Sequence, residues 1–126
     1  MSNYFKKYFE TLDFYTCAVD SALLVSVANI FLETKKRDGK IIIAGNGGSA
    51  SIASHVAIDL TKAASITALT FNESSLITCF SNDFGYPNWV AEAIGYYATD
   101  ADSVVLISSS GKSKNIINGA KKTKSL

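Results

Sequence analysis

Apolar positions recur along the chain in two rhythms. Between residues 3 and 36 the spacing is three or four, through Phe5, Phe9 and Leu12 and then Leu23, Val27 and Ile30. That period predicts helix. Asp20 is placed to cap a second helical segment, and Gly39 to end it. The rhythm then changes. Lys40–Ala44, Ser65–Thr70 and Ser103–Ile107 are short, largely β-branched runs, and they predict strands. Helical spacing returns over Ser49–Lys62, Glu73–Phe80 and Asn88–Ala98, and a last helix is expected from about Ser113. The stretch "SNDFGYP" between two of these helices reads as turn.

Strands alternating with helices predict an α/β fold, a parallel sheet with helices on both faces in a three-layer αβα sandwich. The unpunctuated runs "IIIA" and "VVLI" fit strands buried on both sides. The chain has 126 residues, which suits one domain. Residues 1–38 read as an N-terminal helical segment for oligomerisation, and 39–126 as the αβα core. Three strands make a small sheet, and "KKTKSL" falls where another strand is expected. The chain therefore reads as C-terminally truncated, or else neighbouring chains cover the open edge.

Composition narrows the function classes. Twelve Lys and Arg nearly balance eleven Asp and Glu, for a net charge of +1. Nothing in that balance calls for a nucleic acid or a membrane as partner. Lys112, Lys114, Lys121, Lys122 and Lys124 read as a solvated helix face. The longest apolar run, Ala22–Leu32, is too short to span a bilayer. The start, "MSNYFKKYFE", does not read as a signal peptide. Cys17 and Cys79 fit neither a disulfide framework nor a zinc ribbon and read as reduced thiols, hence a cytoplasmic location.

The candidate chemistry lies where strands run into helices. After the first strand, Gly45, Gly47 and Gly48 permit close backbone approach. The next helix aims its free N–H groups at whatever sits there, and Ser49 and Ser51 add hydroxyls. The third strand runs into Ser108-Ser109-Ser110-Gly111-Lys112-Ser113, with four hydroxyls at a helix start. Both loops suit a phosphate or a polyhydroxylated sugar. "GNGGSA" also satisfies the dinucleotide pattern G-x-G-x-x-A, but the acidic residue expected near the end of the second strand is missing, unless Glu73 serves. "SSSGKS" ends like a P-loop but has Leu106 where that motif needs its first glycine. His55 and Asp59 are four residues apart and share a helix face, opposite the stripe Ala53, Val56, Ala57 and Leu60. Such a pair is half of a zinc site or an ordinary surface pair, and spacing leaves both open.

Three blocks, "GNGGSASIASHVAIDL", "SNDFGY" and "ISSSGKSKNII", together resemble the sugar isomerase (SIS) domain, in particular its phosphoheptose isomerase branch. The resemblance covers residues 40–120 and implies a flavodoxin-like fold. It implies conversion of sedoheptulose 7-phosphate to glycero-manno-heptose 7-phosphate, toward the ADP-heptose of lipopolysaccharide, in tetramers with active sites between subunits. By resemblance, Ser108, Ser109, Ser110 and Ser113 bind the phosphate, and Asn46, Gly47 and Ser49 line the sugar site. Asp83 matches the active-site aspartate, while His55 and Asp59 fall on two zinc ligands, with Asp59 also the base. The family has glutamate at the position of Asp59. Its remaining zinc ligands, a glutamine and a histidine, belong to a C-terminal helix beyond residue 126. The expectation is therefore weak or no zinc binding and little isomerase activity in these 126 residues. The alternative implied by the same resemblance is a non-catalytic phosphosugar-binding module. It would serve as an oligomeric scaffold or as the initiator-associating protein of chromosome replication.

Overall fold

The computed structural model describes residues 2–125. Two helices, α1 (Ser2–Cys17) and α2 (Ser21–Lys36), precede an alternating segment. That segment runs β1 (Ile41–Gly45), α3 (Gly48–Lys62), β2 (Ala68–Thr70), α4 (Ser74–Phe84), α5 (Trp89–Tyr97), β3 (Ser103–Ile107) and α6 (Lys114–Thr123). All strand pairings are parallel, in the order β2-β1-β3. The α/β class and the three layers are as the pattern predicts.

The core follows from strand alternation. Successive side chains of β1 point to opposite faces. Ile42 and Ala44 pack with Trp89, Val90, Ala93 and Ile94 of α5 and Ile116 of α6. Ile41 and Ile43 pack on the other face with Ala53 and Ala57 of α3. Burying each isoleucine contributes about 1.5–3 kcal/mol. The apolar stripe expected on α3 is the one observed, with Val56 and Leu60 flanking the buried alanines.

Four details differ from the sequence reading. The strand expected over Ser65–Thr70 is only three residues long, because Ser65 takes a φ of +52° that no strand accommodates. The residues of β3 are only half-buried, unlike those of β1, because β3 has a strand neighbour on one side only among the described residues. The helix before β1 closes with Asp38, not Gly39, in the left-handed conformation, at a φ of +55°. Gly39 is needed for space, since a Cβ there would lie 2.0 Å from the Ala101 carbonyl oxygen. Finally, Ser81–Phe84 of "SNDFGYP" are helical and complete α4.

The reason for that last difference lies at both ends of α4. Glu73 caps its N-terminus, accepting hydrogen bonds from the Ser75 and Leu76 amides at 3.0 and 2.7 Å. Those bonds hold its carboxyl below the usual range. Phe80 packs at a tilt against Phe84 and edge-on against Tyr96 of α5, carrying the helix to Gly85. Asp20 caps α2 as expected, accepting from the Ala22 amide at 2.8 Å.

Below the sheet, at the N-terminal strand ends, Lys40 pairs with Asp102 at 2.5 Å. The buried Thr34 of α2 shares a hydrogen bond of 2.7 Å with Ser103, tying α2 to β3. Phe31 of α2 packs half-buried against the Ile41 and Ile43 cluster, while Tyr8, Phe9, Leu12, Leu23 and Leu24 are exposed.

Candidate functional site

The chain leaves β1 toward β2 on one side and later returns to β3 on the other. The carboxyl ends of β1 and β3 therefore form a topological switch point, where open parallel sheets bind ligands. A hollow of about 80 Å³ lies there, lined by Asn46, Ser49, Ile107, Ser108, Ser109 and Ser113. These residues come from the two loops singled out in the sequence, brought side by side because β1 and β3 are neighbours.

The glycines explain the first loop. A Cβ on Gly45 would lie 2.7 Å from Ser49, so only glycine lets the strand turn so tightly into α3. Gly47, at the N-cap of α3, has a φ of +54°, which other residues adopt only under strain. No side chain caps α3. The second loop is held by its own hydroxyls. Ser108 Oγ accepts from the Gly111 amide at 3.2 Å, and Ser110 Oγ from the Lys112 amide at 3.2 Å. Ser113 occupies the N-cap of α6 but makes no cap hydrogen bond with its side chain. Its hydroxyl lies 3.5 Å from that of Ser108, facing the hollow. Two helices thus begin at one hollow without side-chain caps. Each brings roughly half a positive charge and free N–H groups, an arrangement suited to an oxyanion.

Two residues that the sequence reading passed over hold Asn46 from behind. Asn115, buried at the start of α6, exchanges two hydrogen bonds with Asn46, at 3.0 and 2.8 Å. The Tyr86 hydroxyl donates to the same Asn46 oxygen at 3.1 Å. A polar residue just before the apolar Ile116 and Ile117 was the available signal for Asn115.

The other expected site residues stand apart. Gly47 is exposed beside the hollow, and Ser110 is an exposed part of the serine loop. His55 and Asp59 lie further along α3, paired at 3.4 Å with side chains 78% and 61% exposed. At 1.5 Å per residue, Asp59 is about 15 Å along the helix from Ser49. Asp83, exposed near the end of α4, accepts from Asn82 Nδ2 at 2.8 Å and faces the Cys79 thiol at 3.7 Å. Neither aspartate lines the hollow. Glu73 spends both oxygens capping α4, so the acidic partner of a dinucleotide site is not there.

Zinc in proteins takes three or four ligands. His55 and Asp59 supply two. Among the described residues no group of three or more His, Cys, Asp and Glu side chains is placed to hold a metal ion. Taken by itself, this set of donors does not fit zinc.

Comparison with known proteins agrees with the fold. The SIS domain family profile matches residues 3–126. A phosphoheptose isomerase of Helicobacter pylori strain ATCC 700392 / 26695 is 37% identical over 114 residues, covering 86% of this chain and 59% of that protein. Phosphoheptose isomerase 1 of Campylobacter jejuni is 34% identical over 110 residues, covering 82% and 59%. The chain thus spans little more than half the length of these relatives. The structure of phosphoheptose isomerase GmhA from Neisseria gonorrhoeae superposes with a TM-score of 0.87 at 27% identity, covering 98% of this chain and 67% of that one. A phosphoheptose isomerase from Francisella tularensis has the same fold, with a TM-score of 0.88 at 22% identity and coverages of 98% and 70%. The chain belongs to the SIS domain family, in its phosphoheptose isomerase branch.

Proposed function

We propose that the hollow binds the phosphate of a heptose phosphate, and that the chain carries this part of a phosphoheptose isomerase. The observation that supports this most is the pair of helix N-termini, α3 and α6, meeting at one serine-lined hollow. In this reading Ser108, Ser109, Ser110 and Ser113 hold the phosphate, while Asn46, Gly47 and Ser49 hold the sugar. The substrate is sedoheptulose 7-phosphate and the product D-glycero-D-manno-heptose 7-phosphate, a precursor of lipopolysaccharide heptose.

The reaction moves a proton between C1 and C2 through an enediolate, so it needs a base and an acid. A seven-carbon chain puts C1 and C2 at the end remote from the C7 phosphate. The acid–base groups therefore need not line the phosphate hollow. Asp59 is proposed as the base and Asp83 as a second active-site carboxylate. His55 and Asp59 would supply one side of a zinc site completed from outside these residues, and no step is assigned to the metal.

The exposed apolar faces of α1 and α2 support assembly, proposed as a homotetramer through residues 1–38. A cytoplasmic location fits the two free cysteines. No single described helix is long and apolar enough to cross a membrane.

Thermal unfolding with and without ligand tests the binding. Sedoheptulose 7-phosphate is expected to raise the melting temperature, and unphosphorylated sedoheptulose much less. Ser110→Ala together with Ser113→Ala is expected to remove the difference. Equal shifts from both sugars in the parent chain would refute the phosphate site.

A further inference from the structure

Asn115 and Tyr86 belong to different elements from Asn46, yet both close on its side-chain amide. Asn46 and Asn115 form a reciprocal amide pair, with Asn46 Nδ2 donating to Asn115 Oδ1 at 3.0 Å and Asn115 Nδ2 donating back at 2.8 Å. Tyr86, in the loop between α4 and α5, donates to the same Asn46 Oδ1 at 3.1 Å. Asn115 is only 2% exposed, so its own amide depends on Asn46 for partners away from water.

The hydrogen-bond inventory of Asn46 is then nearly closed. An amide oxygen accepts two hydrogen bonds, and an amide nitrogen donates two. The oxygen has both its donors, one from Asn115 and one from Tyr86. The nitrogen has spent one hydrogen on Asn115. Its second hydrogen meets no partner among the described residues, and Asn46 is part of the hollow's wall. A free asparagine presents either an acceptor or a donor by turning about its last bond. Here that turn would set Nδ2 against the Asn115 amide donor and Oδ1 against the Asn115 acceptor. The two amides can turn only together, so the pair holds the plane of the Asn46 amide at the wall of the hollow.

We infer that Asn115, helped by Tyr86, is a positioning residue that holds the plane of the Asn46 amide for a hydrogen bond to a bound sugar phosphate. This rests on the binding reading above and adds to it. Asn115 does this without touching the ligand. It also couples the two loops, because α6 cannot shift without moving Asn46.

The test is a double-mutant cycle read as the dissociation constant of sedoheptulose 7-phosphate by calorimetry. Asn115→Leu is expected to weaken binding about tenfold in the parent chain, as befits a misdirected hydrogen bond to a charged ligand. In an Asn46→Ala background the same change is expected to alter binding less than twofold, since Asn115 acts through Asn46. Tyr86→Phe removes one exposed hydroxyl and leaves folding unchanged. It is expected to weaken binding about threefold in the parent and not at all with Asn46→Ala, and it carries the test if Asn115→Leu does not fold. A purely structural role for either residue predicts the same loss in both backgrounds, which would overturn the inference. So would full affinity in the variants. A parent chain that binds no sugar phosphate overturns the binding reading and the role of Asn46 together. Binding by the parent that the variants keep overturns the positioning alone.

Discussion

Replacing Asp102 by alanine removes the acceptor at the centre of the sheet's lower end. Its side chain is 2% exposed and faces Lys40 Nζ at 2.5 Å, with the Lys40 side chain 24% exposed. It also accepts from the Lys40 amide at 2.8 Å, the Thr99 amide at 2.7 Å and the Thr99 hydroxyl at 3.0 Å. Four donors thus converge on one carboxylate. Breaking a buried ion pair from one side costs about 3–5 kcal/mol. Lys40 is partly exposed and recovers some hydration, which favours the lower end. The orphaned Lys40 amide adds about 1 kcal/mol, while Thr99 is exposed and turns to water. The expected loss is about 3–4 kcal/mol, a large share of the roughly 5–15 kcal/mol that holds a domain together. For a chain of this size that lowers the melting temperature by roughly 10–20 °C.

The same site sets a pH dependence. Burial raises the Asp102 pKa, but the hydrogen bonds from Lys40 and Thr99 outweigh it, and the net pKa is lowered. A carboxyl with a lower pKa folded than unfolded stabilises fully above the unfolded value of about 3.9. The contribution is lost as pH falls through the folded pKa. Urea unfolding of parent and Asp102→Ala at pH 7 and near pH 3 measures both effects. The difference in stability is expected to be large at pH 7 and to shrink in acid. A loss below about 1 kcal/mol at pH 7, or a difference independent of pH, would refute the reasoning. Asp102 lies at the opposite end of the strands from the hollow. Sugar phosphate affinity measured where the variant is still folded is therefore expected to be unchanged.

Gly45→Ala is expected to abolish sugar phosphate binding and to destabilise by about 1–3 kcal/mol, because its Cβ would collide with Ser49 at 2.7 Å; retained affinity would contradict the tight turn. Static light scattering at micromolar concentration is expected to find a dimer or tetramer, given the apolar residues exposed on α1 and α2; a monomer would count against assembly through those helices. Equilibrium dialysis is expected to find no stoichiometric zinc on the 126-residue chain, since His55 and Asp59 are two ligands where zinc takes three or four. Stoichiometric zinc would mean that ligands come from elsewhere, for instance from a second copy.

Much of the fold is legible in the chain because local periodicity and burial agree. The runs at Ile41–Ala44 and Ser103–Ile107 are strands because β-branched residues fit a pleated surface. The stripe on α3 is buried because its spacing matches the helical period. Both anion loops announce themselves through glycine and serine chemistry at strand-to-helix junctions, which depends on residues near in sequence. Tertiary contacts decided the rest. The turn signal in "SNDFGYP" held only from Gly85 onward, because Phe80 and Phe84 find aromatic partners that keep Ser81–Phe84 helical. The half-burial of β3 depends on its place at the edge of the sheet, which no property of Val104 or Val105 encodes. The meeting of the two loops, and the pairing of Asn46 with Asn115 across 69 positions, arise because β1 lies between β2 and β3. A hydrogen bond over that separation exists only once the sheet order has set the end of β1 beside the end of β3, so the residue that positions Asn46 is visible in the structure and not in the chain.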